Sequence, residues 1–104
     1  NLTVVGLAGS KLIETCKKNK LNTLLEAFAD RTYNSDGTLR DRKYSDALIV
    51  DPKKAANQAY AISKGYIESY ENKIVDIKAE TICIHSDTPN AVAIARAVKQ
   101  KMRK

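Results

Sequence analysis

The architecture of this protein is first indicated by the segment Leu2-Thr3-Val4-Val5-Gly6-Leu7-Ala8-Gly9-Ser10. Its apolar and β-branched start predicts a strand over residues 2–6, and the glycine-containing loop that follows ends that strand. Ser10 is a preferred helix N-cap. The apolar spacing of Leu12, Ile13 and Cys16 predicts a helix that follows Ser10 and runs to about Lys20. The segment is therefore a strand–loop–helix unit of the kind from which parallel α/β folds are built.

Strands and helices continue to alternate along the chain. A second strand is predicted over residues 23–29, and a long polar segment follows over residues 30–46. Asp51-Pro52 predicts a helix start because an aspartate N-cap precedes a proline at the first helical position, and Gly65 is a typical stop. The remaining predicted elements are a strand fragment over 47–50, a β-hairpin over 67–70 and 74–77, a strand over 81–85, and a helix that begins at Thr88-Pro89 and has Ala91, Ile94, Ala95, Val98 and Met102 on its apolar face.

This order predicts an α/β fold with mainly parallel strands and a small β-hairpin. A parallel sheet needs both faces covered, and three helices are too few for an open sheet but suit part of the outer ring of a barrel. A full (β/α) barrel takes about 250 residues. We therefore expect residues 1–104 to be the C-terminal segment of a single (β/α)-barrel domain, with the N-terminal part of the barrel absent from this chain.

The composition is that of an ordinary globular domain. The 104 residues are 43% hydrophobic, and 18 Lys and Arg against 12 Asp and Glu give a net charge of +6. These values exclude a collagen, a disulfide scaffold and a disordered acidic chain. No apolar run is long enough to cross a bilayer, so no membrane partner is expected.

The cysteines and the basic residues favour a cytoplasmic location and a solvated surface. Cys16 and Cys83 are too few and too far apart for a metal motif or a disulfide framework, so free thiols in a reducing compartment are expected. Cations crowd the last helix, but no aromatic platform accompanies them, so we predict a solvated basic face and no nucleic-acid partner. These cations are Arg96, Lys99, Lys101, Arg103 and Lys104.

Ionisable side chains collect where predicted strands end, which is where parallel sheets and barrels place their chemistry. Strand alternation puts Glu26 and Asp30 on one face, and it puts His85 on the face opposite Ile82. If both strands turn the same way, the two carboxylates and the imidazole approach one cavity. Such a group suits proton transfer or metal binding.

Each of these residues also has a purely structural interpretation. His85 can simply hydrogen-bond a loop, and Glu26 lies at the surface if its facing is inverted. Asp30 can pair with Arg31 or cap a turn. Asp87 and Thr88 both suit helix caps, and for Thr88 the cap is favoured. Gly6 and Gly9 permit a tight turn whose free backbone amides can bind an anion.

At these strand ends the sequence resembles the LamB/YcsF family, the A subunits of 5-oxoprolinase, and the resemblance extends over essentially all 104 residues. Four segments carry it: Val5-Gly6-Leu7-Ala8-Gly9-Ser10, Glu26-Ala27-Phe28-Ala29-Asp30-Arg31-Thr32-Tyr33, Asp36-Gly37-Thr38-Leu39 with Arg42, and Thr81-Ile82-Cys83-Ile84-His85-Ser86-Asp87-Thr88-Pro89-Asn90-Ala91-Val92.

The resemblance implies a barrel of the glycoside hydrolase/deacetylase type and ATP-dependent opening of 5-oxoproline (pyroglutamate) to L-glutamate. It also implies two partners, the B and C subunits of 5-oxoprolinase, besides the N-terminal part of the same protein. The family's N-terminal motifs are absent from this chain, so the fragment is expected to be inactive alone. ATP is the implied cofactor of the complete complex, and a divalent cation remains an open alternative.

The candidate catalytic residues are Asp30, His85, Asp87 and Glu26, and the candidate substrate-binding residues are Arg31, Arg42, Gly9 and Ser10. We assign no metal ligand. In this hypothesis a carboxylate or imidazole activates water, while Arg31 or Arg42 binds the substrate carboxylate in a bidentate way. The alternatives are a metal-dependent deacetylase or amidohydrolase on the same barrel, a small basic nucleic-acid-binding domain, and a structural half that completes a barrel.

Overall fold

The computed structural model describes residues 2–85 and 87–103. Ser86 and Lys104, which belong to the motif and the basic run noted above, lie outside the described residues. The elements are β1 (Thr3–Leu7), α1 (Lys11–Lys18), β2 (Asn22–Phe28), α2 (Pro52–Ser63), β3 (Tyr66–Glu68), β4 (Ile74–Asp76), β5 (Thr81–Cys83) and α3 (Ala91–Met102).

The main sheet is parallel, as the alternation of strands and helices predicts. Its strand order is β1-β2-β5, and both neighbouring pairs run parallel. The register places Glu26 beside Leu7 on one side and beside Thr81 on the other, and Phe28 lies beside Cys83. The predicted hairpin is confirmed as the antiparallel pair β3-β4.

One face of this sheet is covered by helices and by the hairpin. Ala27 is fully buried in a cluster with Ile62 of α2 and Ile67 of β3, and Ile82 packs against the same cluster. A second cluster joins Ile13 of α1 to Leu25. The outward packing expected for Ile82 is therefore confirmed, and these contacts fix which face each strand residue occupies.

The other face is left open by the described elements. Val5 is 49% exposed although it lies in a strand, and Glu26, Phe28, Thr81 and Cys83 are only half-buried. Side chains alternate between the two faces of a strand, so these residues share the face opposite Ala27 and Ile82. We call this surface, formed by Val5, Leu7, Glu26, Phe28, Thr81 and Cys83, the inner face.

Several boundaries differ from those predicted. Helix α1 ends at Lys18 rather than near Lys20, which has a φ of 58°, and Asn22 begins β2 instead of only interrupting the helix. Residues 47–50 form no strand: Leu48 makes a single isolated bridge to Arg31. Within the described chain, no helix has the length and hydrophobicity required to span a membrane.

The third helix is less amphipathic than its sequence suggests. It packs against α2, and Ile94 is fully buried. Ala95 and Met102, which were expected on the same apolar face, are exposed. The apolar spacing therefore over-estimated the buried face of this helix, on which Ala91 and Val98 are only half-buried.

Replacement of Ile67 by Ala tests the main cluster. Ile67 is fully buried, so we expect Ile67→Ala to lower the free energy of unfolding by about 2–5 kcal/mol through lost burial and a residual cavity. Ile74 of the same hairpin is 64% exposed, and Ile74→Ala should cost less than about 0.5 kcal/mol. Chemical denaturation of both variants measures the difference, and equal losses would contradict the assignment of the core.

Candidate functional site

The centre of the site is a buried pair formed by Asp30 and His85. Asp30 follows the end of β2, and its side chain has no exposed surface. Its Oδ1 lies 3.1 Å from His85 Nδ1, and its Oδ2 accepts a 2.8 Å hydrogen bond from the backbone N–H of His85. The two residues therefore approach each other as strand alternation predicts.

Thr88 completes the environment of this carboxylate. Its hydroxyl donates a 2.8 Å hydrogen bond to Asp30 Oδ2. Helix α3 begins at Ala91 after Asn90, which has a φ of 66° and no side-chain cap bond. The interpretation of Thr88 as a helix cap is therefore wrong, because its hydroxyl is used by Asp30. A buried carboxylate needs such donors to offset its lost hydration.

The hydrogen bonds determine how the imidazole can act. A carboxylate only accepts, so in the neutral imidazole the contact to Asp30 places the ring proton of His85 on Nδ1 and leaves a lone pair on Nε2. The Phe28 ring lies 4.9 Å from the imidazole between centroids, at an interplanar angle of 32°. The His85 side chain is 26% exposed, so a molecule on the inner face can reach it.

Glu26 lies on the same inner face, two residues before Phe28, and is half-buried. Glu26 interacts with the thiol of Cys83, which is also half-buried. Burial raises the pKa of the Cys83 thiol, and the negative charges of Glu26 and Asp30 raise this pKa further. Cys83 is therefore held as a neutral thiol, which makes it a poor nucleophile at neutral pH.

Among the hydrogen bonds and ion pairs of the described residues, none joins the Arg31 side chain to Asp30 or His85. Its Nη2 donates a 2.9 Å hydrogen bond to the backbone carbonyl of Arg40, and within the described part of the chain its buried Nε has no hydrogen-bond partner. Burial lowers the pKa of Arg31, Arg42 lowers it further, and the charge of Asp30 opposes both effects. Arg42 itself is exposed. The alternative in which Asp30 simply pairs with Arg31 is not the arrangement in the structure, because Asp30 bonds His85 and Thr88 instead.

The Arg40 carbonyl that holds Arg31 is itself fixed by side-chain packing. The Arg40 guanidinium lies 4.1 Å from the centre of the Tyr44 ring and 3.9 Å from that of Tyr70. Its Nε donates a 2.7 Å hydrogen bond to Asp46 Oδ1. This stack ties the segment after β2 to the hairpin, which carries Tyr70 just beyond β3.

Two further side chains hold the segment that carries Asp30 and Arg31. Gln58 of α2 donates to the carbonyls of Phe28 and Arg31, at 2.8 and 2.7 Å. The fully buried Tyr33 accepts a 3.0 Å hydrogen bond from the Phe28 N–H, and burial raises the pKa of its hydroxyl. The sequence interpretation missed both, although an amide within the alanine-rich buried stripe of α2 is a usable signal.

Gly9 and Ser10 lie in the loop between β1 and α1. Ser10 is the N-cap of α1, as predicted, and its Oγ accepts a 3.3 Å hydrogen bond from the Ile13 N–H. Gly9 is exposed and has a φ of 81°. Together with Leu7 and Val75 they line a cavity of about 570 Å³, and neither Asp30 nor His85 is among its lining residues.

Asp87 is exposed. Among the hydrogen bonds that the described residues form, those to Asp30 come from His85 and Thr88 and none joins Asp87 to the pair. Within residues 2–85 and 87–103, no group of three or more His, Cys, Asp or Glu side chains is arranged to hold a metal ion. The geometry thus unites Asp30 and His85, adds Thr88, and leaves Asp87 at the surface.

The fold and this site define an α/β protein with a mainly parallel sheet and a buried Asp–His pair where two strands end. The chain belongs to the LamB/YcsF family, which it matches over residues 1–104. It is 46% identical over 99 residues to the 5-oxoprolinase A subunit of Chloroflexus aggregans, a match that covers 94% of this chain and 39% of that protein. It is 45% identical over 102 residues to the 5-oxoprolinase A subunit of Heliobacterium modesticaldum, with 97% and 40% covered.

A solved structure is similar to this chain in fold and sequence. The crystal structure of the lactam utilization protein from Thermus thermophilus superposes with a TM-score of 0.89 at 36% identity, covering 99% of this chain and 41% of that one. The chain thus spans about two-fifths of the length of the relatives it matches. Both curated relatives are named as one lettered subunit of an enzyme, which implies an assembly with other subunits.

Alkylation of Cys83 tests the electrostatics of the inner face. Because the charge of Glu26 raises the pKa of the thiol, Glu26→Gln should lower that pKa and increase the thiolate fraction. We expect iodoacetamide to modify Cys83 about threefold faster or more at pH 8 in this variant, measured by mass spectrometry in a Cys16→Ser background. The exposed Glu68 provides the matched control, and Glu68→Gln should leave the rate unchanged. Equal rates in the two variants would contradict the proximity of Glu26.

Proposed function

We propose that this chain is the part of a 5-oxoprolinase A subunit that supplies the general base for ATP-dependent hydrolysis of 5-oxoproline to L-glutamate. The single observation that carries the proposal is the buried Asp30 carboxylate bound to Nδ1 of the partly exposed His85, which leaves Nε2 as the ring nitrogen available for chemistry. Membership of the family and the names of the curated relatives support the choice of substrate.

The inner face supports the further proposal of a closed barrel. It holds the half-exposed Val5 beside Glu26 and Phe28, and exposed apolar strand residues indicate a surface that is covered in a larger structure. We propose that the N-terminal part of the same protein continues the sheet and closes a (β/α) barrel of the glycoside hydrolase/deacetylase type. The catalytic pocket is then the interior of that barrel at the carboxyl ends of its strands.

His85 acts as the base in the proposed reaction. Its Nε2 removes a proton from water while the water oxygen forms a bond to the lactam carbonyl carbon. Asp30 keeps the ring oriented and stabilises the imidazolium that results. When the carbon–nitrogen bond breaks, the imidazolium returns the proton to the leaving nitrogen, so the ring is neutral again and glutamate carries the new amine and carboxyl groups.

Cationic and acidic neighbours provide the remaining roles. Arg31 has an unpartnered Nε within the described residues, and we assign it, with the exposed Arg42, to the substrate carboxylate. Glu26 contributes negative charge on the inner face next to Cys83. Asp87 is assigned a role at the rim of the pocket, in line with its exposure.

We assign no ATP site to the described residues. The loop before α1 does not match the P-loop sequence pattern, and the N–H groups of Ser10 at its end and of Ile13 and Glu14 at the start of α1 already donate to protein oxygens. We therefore route no step of this chain through ATP and propose that the nucleotide, with any divalent cation, is bound elsewhere in a cytoplasmic complex with the B and C subunits. The comparisons favour neither a metal-dependent deacetylase nor a nucleic-acid-binding domain.

The proposal is tested by glutamate release coupled to ATP consumption in the complete A subunit combined with the B and C subunits. We expect Asp30→Asn and His85→Asn each to lower kcat about 10²- to 10⁴-fold, since the base is lost or left with the wrong tautomer. Arg31→Lys should mainly raise KM because a lysine cannot bind a carboxylate in a bidentate way.

Arg96→Gln, on the exposed surface of α3, is the control and should leave both constants unchanged. Absence of coupled turnover in the wild-type complex would refute the substrate assignment. Full kcat in both the Asp30 and the His85 variants would refute the assignment of the base.

A further inference from the structure

Gln58 is a polar residue in the apolar stripe of α2. Its neighbours on that side of the helix, Ala55, Ala59 and Ile62, are all buried. An amide placed among them has to be hydrogen-bonded, and Gln58 Nε2 donates at 2.8 Å to the Phe28 carbonyl and at 2.7 Å to the Arg31 carbonyl. Both distances are well within the range of good hydrogen bonds.

The two carbonyls that Gln58 binds lie on either side of Asp30. The segment between them is already held at other points: the Ala29 N–H donates to the Cys83 carbonyl at 3.2 Å, and the Asp30 carbonyl accepts from the Ile49 N–H at 2.9 Å. Gln58 adds two bonds that close the bend where β2 ends. It also links α2 to the backbone on both sides of Asp30, at Phe28 and at Arg31.

We infer that Gln58 is a positioning residue whose side-chain amide fixes the bend from Phe28 to Arg31 and thereby sets the contact between Asp30 and His85. The effect of Gln58 on turnover rests on the proposed function, whereas its effect on the Asp30–His85 contact does not. Both carboxylate oxygens take part in that contact, with Oδ1 at 3.1 Å and Oδ2 at 3.3 Å from His85 Nδ1, so a displacement of the Asp30 backbone changes both distances.

Gln58→Met tests the inference because it keeps the length of the side chain and removes both donors. In the complete A subunit with the B and C subunits, we expect kcat to fall about 10- to 100-fold, as misplacement of reacting groups commonly does, with KM changed less than about threefold. Gln58→Glu is a second, nearly isosteric variant that also cannot donate, and it should show the same split if Gln58→Met folds poorly.

Gln100→Met is the matched control, since Gln100 is an exposed glutamine on the neighbouring helix α3. A second measurement is independent of turnover. The His85 Nδ1 proton, assigned by its loss in His85→Asn, is expected as a downfield NMR resonance. Its exchange with solvent should be about tenfold faster in Gln58→Met and unchanged in Gln100→Met.

The outcomes separate this inference from the proposed function. If the wild-type complex shows no coupled turnover, the proposed function is refuted. If the His85 Nδ1 proton nevertheless exchanges faster in the Gln58 variants, the positioning role is supported. An exchange rate within about twofold of wild type in both folded Gln58 variants would overturn the positioning role, whatever the turnover. The positioning role would also be overturned if the apparent kcat fell only in proportion to the fraction of folded protein, because loss of a merely structural residue has that effect.

Discussion

The structure depends on the hydrogen bonds made to one fully buried carboxylate, that of Asp30. Asp30 has no exposed surface, and a carboxylate in that position is tolerated only where donors replace its hydration shell. The donors come from the end of β5 and from the turn before α3, through His85 and Thr88. The same bonds that satisfy Asp30 therefore hold together the ends of two neighbouring strands and the start of the last helix. Orientation of the imidazole follows from this requirement.

The site is supported by segments that never touch the imidazole. Gln58 and Tyr33 bind the backbone around Phe28, and the Arg40 stack between Tyr44 and Tyr70 places the carbonyl that holds Arg31. Each of these contacts joins a helix or a loop to the end of β2. Such cross-links make the end of the strand rigid, which is what a site with hydrogen-bond precision requires.

Much of the fold was accessible from the sequence because local signals were strong. Ser10 and Asp51 cap their helices as predicted, and the alternation of Ile82 with its neighbours indicated the correct facing of the last strand. The same alternation predicted that Asp30 and His85 approach each other. Periodicity was less informative for α3, where Met102 is exposed, since apolar spacing indicates the face of a helix but not how much of that face neighbouring elements cover.

The supporting residues were not accessible in this way. Thr88 precedes a proline and so matches a helix-cap pattern, and nothing local indicates that a carboxylate 58 positions earlier takes its hydroxyl. Gln58 and Tyr33 bond backbone groups rather than side chains. Every residue has these backbone groups, so the sequence does not indicate which of them a side chain binds. Long-range hydrogen bonds of this type can be assigned only when coordinates are known.

The strand order β1-β2-β5 has a consequence for how the molecule has to be handled. In the described part of the chain, β1 and β5 each present one row of backbone N–H and C=O groups that no other strand pairs with. Open edges of this kind template sheet growth between molecules, and they do so more readily beside exposed valine and leucine side chains. Residues 1–104 on their own are therefore expected to self-associate through these edges more readily than a protein whose edge strands are paired or covered.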